Sequence, residues 1–598
     1  MNKAKNYLTG IIFLFVICTV NAQEALKSIE EEYYDFLSLT GVVERPTLGY
    51  RTLSDNVWNF NEVTTLEENE DGTYTKVRVP GYESEEHIWK KNNLGTTYTL
   101  CESSSPADNL FARGLKQGIT ARIYGPEWFN SYNTAAPYGQ NDGGLWQGRG
   151  YNTALTAGLR LEGYGFELTF KPQVSWSQNK EFDHNSDIYP SPYSYSFKSG
   201  TVTHIIDVVQ RYGDDPFWNF DWGDTEARWT WNSLTFGVGT QNPWLGPAYL
   251  NPMLGSNNAG GYLKFDAGLR KLDVILPWLD WNLGTIEGRI WVGRLEESDY
   301  FDFDTDYKIK HEPRMLTAMS ASYAPSFIPG LTIGLNRIFL TYWRAENLSY
   351  ILRLFTASRL NALASSGNDE DQKFALFAEW KFPKVGFEIY GEFGRDDFSS
   401  NEKANPFHTA IYTVGAKQII PLNLTNLIPT LPKYFNLTSE LVFEWNNFEM
   451  SQDFQLQWTY MGYYAHGFVK QGYTQKGQLL GAGTGWAGNS QFLQYKIYYP
   501  KGYTAFSFHR YCQNNNSIYS QAVYTTPDTL TINNKTVSST WHANFETYIC
   551  YGIKTNIYLL QNLNLTFMLN DIKLYIYQYQ IYKSKSVFNF VLDFKYSF

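Results

Sequence analysis

The stretch Phe588-Asn589-Phe590-Val591-Leu592-Asp593-Phe594-Lys595-Tyr596-Ser597-Phe598 decides the fold. Phe588, Phe590, Leu592, Phe594, Tyr596 and Phe598 alternate with Asn589, Val591, Asp593, Lys595 and Ser597, a period of two. That period makes a β-strand with one apolar face, aromatic at its ends, and one mostly polar face. The pattern recurs upstream. Phe374, Leu376, Ala378, Trp380 and Phe382 run through Pro383-Lys384-Val385-Gly386 into Phe387, Ile389, Gly391 and Phe393, with Glu388 and Glu392 on the other side. Ile286, Gly288, Ile290 and Val292 alternate with Glu287, Arg289 and Trp291, and Leu331, Ile333 and Leu335 alternate with Thr332, Gly334 and Asn336.

Alternation alone fits two architectures. A soluble sandwich turns the apolar face inward and the charges to water, whereas a transmembrane barrel turns the apolar face to lipid and the charges to a hydrated lumen. Aromatics at strand ends, an aromatic-terminated final strand, and a contrast between tight Pro- or Gly-containing hairpins and long polar insertions favour the barrel. Composition agrees. The 598 residues include Tyr 45, Phe 40 and Trp 19, with 17% aromatic, 18% charged and a net charge of −10; the mean hydropathy is −0.38. So many rings at modest charge exclude disorder, and no apolar run of transmembrane-helix length follows the first 22 residues. The acidic balance argues against nucleic acid as the main ligand.

At the start of the chain, Lys3 and Lys5 precede the apolar run Ile11–Ile17, and Val20-Asn21-Ala22 supplies small residues before Gln23. This is expected to be a secretory signal peptide. Ile17 before Cys18 argues against lipoprotein processing. Cys101, Cys512 and Cys550 remain, an odd and widely spaced set that allows one bridge at most and no metal motif. Residues 23–115 then form a periplasmic helical and irregular segment. Leu26, Ile29, Tyr33, Phe36 and Leu37 lie at helical spacing with acids opposite, Gly41 stops the helix, and Pro46 prevents its continuation. Acids cluster between Glu62 and His87 in what reads as a solvated loop or hairpin. Residues 116–598 are expected to form the antiparallel outer-membrane β-barrel with inward-folded loops.

Catalytic motifs are sparse. His311-Glu312 lacks a second zinc ligand because position 315 is Met. Asp302, Asp304 and Asp306 imitate a calcium loop, but Tyr307 stands where Gly is needed. Gly237-Val238-Gly239 lacks the third glycine and following helix of a dinucleotide site. A glycoside hydrolase needs two opposed carboxyls, and Asp221, Asp224, Glu226, Asp396 and Asp397 are the candidates. Their neighbours Arg228 and Arg395 favour lumen salt networks instead. No catalytic residue, metal or cofactor is assigned.

Residues 206–260 carry a resemblance. Ile206-Asp207-Val208-Val209-Gln210-Arg211-Tyr212-Gly213, Asp221-Trp222-Gly223-Asp224-Thr225, Asn242-Pro243-Trp244-Leu245-Gly246-Pro247, Asn251-Pro252 and Ser256-Asn257-Asn258-Ala259 together resemble the capsule assembly protein Wzi family in its Bacteroidetes-type form. Gly143–Gly150, Glu392–Asp397, His466–Gly481, and the N-terminal helix with Arg51-Thr52-Leu53-Ser54 look similar too, so the likeness spans nearly the whole mature chain. Leu245 replaces a frequent Trp, and Asp224-Thr225 replaces a Gln-Ser or Asn-Ser pair. The resemblance implies an eighteen-stranded outer-membrane barrel with helices on the periplasmic side and loops folded over the outer mouth. It also implies a lectin-like role without turnover, holding capsular or exopolysaccharide at the cell surface, with outer-membrane lipids and other capsule export components as further partners.

A glycan presents hydroxyls and weakly positive C–H faces, which rings, amides, carboxylates and guanidinium groups recognise. Trp146, Gln147 and Arg149 offer that set in one loop, and Trp244, Tyr249, Asn257 and Asn258 in another. Arg395, Asp396, Asp397, His466 and Tyr473 complete the candidate polysaccharide-binding residues. Loop shaping by Gly-Pro turns and buried amides, or a girdle role for Trp, accounts for the same residues and is preferred for most of them. The alternative functions are a pore for small solutes or glycans and a secreted glycoside hydrolase.

Overall fold

The computed structural model describes residues 28–596, apart from 42, 56–57, 61–63, 69–73, 79–96, 103–114, 116–117, 187–188, 200–201, 205, 280, 302–308, 357–368, 397–406, 424–428, 431–435, 452–453, 455–461, 500, 516–528, 533–534, 539–544, 561 and 581. Among the described residues one antiparallel sheet closes into an eighteen-stranded barrel. Its strands are β1 Ile119–Asn133, β2 Gly150–Gly163, β3 Phe166–Phe170 with Gln173–Ser177, β4 Phe217–Asp221 with Glu226–Trp231, β5 Leu234–Gly239 and β6 Lys264–Leu276. Next come β7 Trp281–Leu295, β8 Arg314–Pro325, β9 Leu331–Tyr342, β10 Asp371–Phe382, β11 Phe387–Asp396 and β12 Ala410–Asn423. The last six are β13 Asn436–Asn447, β14 Asn489–Tyr499, β15 Gly502–Cys512, β16 Thr547–Leu560, β17 Leu563–Tyr575 and β18 Ser584–Tyr596. Neighbours in sequence pair, and β18 returns to β1 in register from Asn589 opposite Asn133 to Lys595 opposite Glu127. Most connections at the rim carrying the chain ends are tight turns, such as Pro383–Val385 ended by left-handed Gly386. Long insertions, among them 178–216, 240–263 and 448–488, crowd the opposite rim.

Exposure separates the two architectures that alternation left open. On β18, Phe588, Phe590 and Leu592 are 42%, 42% and 39% exposed, while Asn589, Asp593 and Lys595 are 1%, 7% and 5% exposed. A water-soluble sheet has the reverse. The apolar face points out of the barrel all round, through Phe166, Leu168, Phe220, Phe236, Phe265, Leu376, Ile389, Phe443, Phe506 and Phe567. This is the arrangement of a transmembrane barrel, whose closure pairs the backbone N–H and C=O groups that lipid cannot solvate.

The lumen is polar, and many of its described charges pair across strands. Arg228 on β4 holds Glu226 at 2.8 and 2.9 Å and Asp266 of β6 at 2.7 and 2.9 Å. Arg289 on β7 reaches Asp266 at 2.8 Å and Asp55 at 3.1 Å, and Arg270 holds Asp55 at 2.7 Å. Glu226 therefore takes its expected arginine, but two other expected pairings change. Asp224 bonds Lys171 at 3.1 Å, and Asp396 bonds Lys373 at 2.6 Å. In each case the cation comes from another strand of the lumen wall, which sequence neighbourhood does not reveal. Asp397 and Asp302 to Asp306 lie outside the described residues.

The N-terminal segment enters this lumen. Helix α1, Ile29–Ser38, is capped by Ser28, which accepts the Glu31 N–H at 3.1 Å. Gly41 at φ +76° ends the turn beyond the helix. Tyr33, Tyr34, Phe36 and Leu37 pack on Tyr498, Tyr503, Ile419 and Tyr558 of the wall, with Phe36 stacked on Tyr498 at 4.2 Å between ring centres. Leu26 lies outside the described residues. Glu32 accepts from Tyr503 at 2.9 Å and lies 3.5 Å from Lys496. Asp35 bonds Lys417 at 2.7 Å and also Arg45, which reaches Glu379 at 3.1 Å. Burial alone opposes the Asp35 charge, but Arg45, Lys417 and Lys381 outweigh it and hold the carboxyl well below its ordinary range. Further along, Glu287 of β7 accepts the N–H groups of Leu48, Gly49 and Tyr50 at 2.8, 3.0 and 2.8 Å. The acidic region contains a two-stranded hairpin, Thr64–Glu68 with Tyr74–Arg78. Thr97–Cys101 pairs with the first residues of β1. Cys101, Cys512 and Cys550 are all unbridged.

Two outcomes are expected. Leu592→Arg places a charge on the lipid face and should lower unfolding stability in bilayers by about 2–4 kcal/mol; wild-type stability in that variant would contradict the lipid assignment. Asp35→Asn leaves Arg45 and Lys417 short of a buried partner, a loss of about 3–5 kcal/mol when such a pair is broken. Hydrogen exchange over residues 29–55 should rise in the variant. In the wild type the same contribution is present at neutral pH and lost as pH falls through the depressed Asp35 range.

Candidate functional site

The long-rim loops turn inward because lumen side chains give their backbones hydrogen-bond partners. Asn133, at the top of β1, donates from Nδ2 to the carbonyls of Tyr138, Gln147 and Gly148 at 3.0, 3.0 and 3.2 Å. That pins loop 134–149 across the mouth. Gly144 lies so close to Asp221 that a Cβ there would sit 2.9 Å from the Asp221 Cβ, which explains a glycine at this position. Two carboxylates hold loop 240–263. Glu392 of β11 accepts the N–H groups of Ala248 and Met253, each at 3.1 Å, and Glu444 of β13 accepts those of Tyr249 and Asn251 at 2.6 and 2.8 Å. Together these two residues give the N–H groups of Ala248, Tyr249, Asn251 and Met253 an acceptor inside the lumen, where no other backbone partner among the described residues meets them, and so fix the loop. Loop 448–488 closes over it, with the Tyr464 and Tyr473 hydroxyls donating to the Met253 and Leu254 carbonyls at 2.7 and 2.6 Å.

Between these loops lies an outer cavity of about 120 Å³. Trp146, Tyr195, Trp486, Tyr511 and Tyr548 supply its rings, and Gln140, Gln147, Asn258, Gln478 and Gln513 its amides. A second cavity of about 340 Å³ lies in the lumen, bounded by the same loop, by Ser28 and Glu32 at the start of α1, and by strands including β1 and β14 to β18. Tyr138 to Asp142, Leu145 and Gln147 line both spaces, so loop 134–149 is their common wall.

The candidate residues divide accordingly. Trp146, half-buried, stands edge-on to Tyr212 at 5.2 Å in the outer cavity, and its Nε1 has no hydrogen-bond partner among the described residues. Gln147 lines both cavities. Asn258 lines the outer one while donating to the Leu479 carbonyl at 3.2 Å. Asn257 is buried beneath, its carbonyl accepting from Gly143 at 2.6 Å. Tyr249 lines the inner cavity, stacked on Phe492 at 6.0 Å with its hydroxyl on Gln494 at 2.8 Å.

The others serve the framework and line neither cavity. Arg149 ties the Thr134 carbonyl, at 3.3 Å, to that of Glu181 in the next loop. Trp244 is 1% exposed, donates to Ala248 at 3.0 Å and, with Leu245, pairs with Tyr50-Arg51. His466 Nδ1 accepts the N–H groups of Phe468 and Val469 at 3.2 and 3.3 Å. Tyr473 stacks on Tyr464, and Arg395 and Asp396 belong to β11. The rings Tyr195, Trp486, Tyr511 and Tyr548 escaped the sequence reading, because their convergence depends on loops far apart in the chain.

Asp142 sits in the common wall. Burial pushes its carboxyl up to about 7 from an ordinary value of 3.8, and the Gln147 amide only partly offsets this. A carboxyl with a raised folded-state pKa favours the protonated folded form, so the seating of loop 134–149 should weaken as pH rises from about 4 through about 7. Hydrogen exchange over residues 138–148, corrected for intrinsic rate, should be slower at pH 5.5 than at pH 8. Asp142→Asn should abolish the difference; an equal difference in that variant would contradict the assignment.

No protein-family model matches this chain. No curated protein matches it either. Among solved structures the fold is similar to Wzi of Escherichia coli, described as an outer membrane protein involved in group 1 capsule assembly and a carbohydrate binding beta-barrel, at 13% identity over 79% of this chain and 84% of that one, with a TM-score of 0.50. OccAB1 of Acinetobacter baumannii matches at 11% identity over 79% of this chain and 96% of its own, with a TM-score of 0.35. OprD of Pseudomonas aeruginosa, an outer membrane protein, matches at 7% identity over 83% and 98%, with a TM-score of 0.36. The chain thus has the fold of an outer-membrane β-barrel.

Proposed function

We propose that this barrel is a lectin-like outer-membrane protein that binds capsular or other surface polysaccharide at the cell surface without turning it over. The observation that carries this reading is the outer cavity, where rings and side-chain amides converge from separate loops at the long-loop rim. Flat rings suit the C–H faces of a sugar, and amides suit its hydroxyls. The sequence resemblance to the Wzi family and the carbohydrate binding described for the structurally similar Wzi support the same role. The glycosidase reading is less favoured because Asp224, Glu226 and Asp396 are each engaged by a cation.

Deleting the gene in an encapsulated cell should leave polymer synthesis intact and release capsule into the medium; unchanged retention would count against the role. Trp146→Ala should weaken polymer binding roughly two- to tenfold, the loss of a ring contact of about 0.5–1.5 kcal/mol. A second reading, a pore for small solutes, is favoured by the lumen cavity directly beneath the outer one. Planar-bilayer recording distinguishes them: the lectin reading expects a closed barrel, and steady wild-type conductance would favour the pore.

A further inference from the structure

One insertion at the long-loop rim folds outward instead of inward. After β9 the chain forms a 3-10 turn, Ala345–Ser349, followed by a short helix α2, Tyr350–Arg353. Tyr350 and Leu354 pack with Phe339 of β9, and Ile290 of β7 and Met319 of β8 border the same cluster. All three wall residues point away from the lumen. Ile290, Met319 and Arg337 lie opposite one another across β7, β8 and β9, and Arg337 and Phe339 keep the period-two phase of Ile333, which is exposed on the lipid face. The segment 345–356 therefore lies against the outside of the barrel.

Arg337 holds it there. An arginine on the lipid side of a barrel is costly unless its donors are met. Its Nη1 donates to the Leu354 and Thr356 carbonyls at 3.0 and 2.6 Å, and its Nη2 to Gln372 Oε1 of β10 at 2.6 Å. Leu354 and Thr356 follow the end of α2, where carbonyls lack helical partners and favour a cation. The guanidinium also stands over the Phe339 ring, 4.9 Å from its centre. The side of the segment turned away from the wall is apolar. Leu348, Leu352 and Phe355 are 51%, 73% and 66% exposed, and their spacing puts them on one face of the helical run. The Phe355 N–H, on the Leu352 carbonyl at 3.3 Å, continues that run past α2. Arg353, on another side, bonds Glu370 at 2.8 Å.

Position names the partner. Arg337 stands opposite Phe374 of β10, and Leu376, two residues further along that strand, is an exposed member of the lipid-facing belt. Phe355, between the two residues whose carbonyls meet Arg337, therefore sits at the upper edge of that belt, with Leu352 and Leu348 on the same face. A helical segment with one apolar face at this level lies in the boundary between headgroups and acyl chains. We propose that segment 345–356 is a lipid-docking element, whose Leu348, Leu352 and Phe355 face seats in the acyl chains of the outer leaflet and widens the belt outside β7 to β10. Continuity with the belt selects lipid over a second copy of this chain. The element acts whether or not the outer cavity holds polysaccharide.

The test places the full chain in nanodiscs of phosphatidylethanolamine and phosphatidylglycerol, one chain per disc, doped with a phosphatidylcholine that carries a photoactivatable diazirine in its acyl chain. After illumination, mass spectrometry should find lipid adducts on residues 345–356 of the wild type as well as on belt residues such as Leu376. Leu352→Glu/Phe355→Glu should lower the adducts on 345–356 roughly tenfold, as two large apolar side chains leave the membrane, while belt labelling stays the same. The first measurement uses the unmodified protein, so the answer does not depend on the variant's folding. Belt adducts with none on 345–356 in the wild type, or undiminished labelling of that segment in the double variant, would overturn the proposal. Cross-links joining two copies through 345–356 in intact membranes, in place of lipid adducts, would overturn it in favour of a protein contact.

Discussion

Everything in this molecule depends on closing the sheet. A strand facing hydrocarbon cannot leave backbone N–H and C=O groups unpaired, so the sheet has to end where it began. The seam is made by β18 and β1, from Asn589 opposite Asn133 to Lys595 opposite Glu127. On its lumen side the Asn589 amide donates to Asn133 Oδ1 at 2.8 Å. Asn133 in turn holds three carbonyls of loop 134–149. One residue thus joins the barrel's closure to the placement of the loop that divides its interior.

Closure fixes the sign of the alternation. With lipid outside, polar side chains collect in a confined lumen, where charge must be matched by charge. The ladder running through Glu226, Arg228, Asp266, Arg289 and Asp55 does this across strands and out to the inserted N-terminal segment. Replacing any one member strands its neighbours. Glu287, Glu392 and Glu444 solve a different problem: each spends a carboxylate on backbone N–H groups of chain that passes through the lumen without regular structure of its own.

The strand pattern was legible because period two is a local property, visible from Phe588 to Tyr596 without knowledge of any partner. Which face meets lipid was not local, and only exposure resolves it. Helix α1 was equally readable from the spacing of Tyr33, Phe36 and Leu37, but its receptor surface, Tyr498, Tyr503 and Tyr558, lies more than 450 residues further on. At the site, Trp146, Gln147 and Asn258 stood out because glycine-rich loops carrying rings and amides are unusual in sequence. Trp244 and Tyr473 look the same in sequence and are framework, since burial is decided by which loop packs on top. Ion-pair partners were least readable: Lys171 and Lys373 reach Asp224 and Asp396 from the neighbouring strand, Lys373 lying directly opposite Asp396.

Loop 134–149 is a partition with a compartment on either side. Because Gln147, Asp142 and Tyr138 border both spaces, their positions are variables shared by two equilibria. Any ligand that shifts this partition on entering one compartment changes the free energy of filling the other. Thermodynamic linkage makes that influence equal in both directions. For such a ligand the outer face of the barrel and its interior are coupled through a single segment of chain.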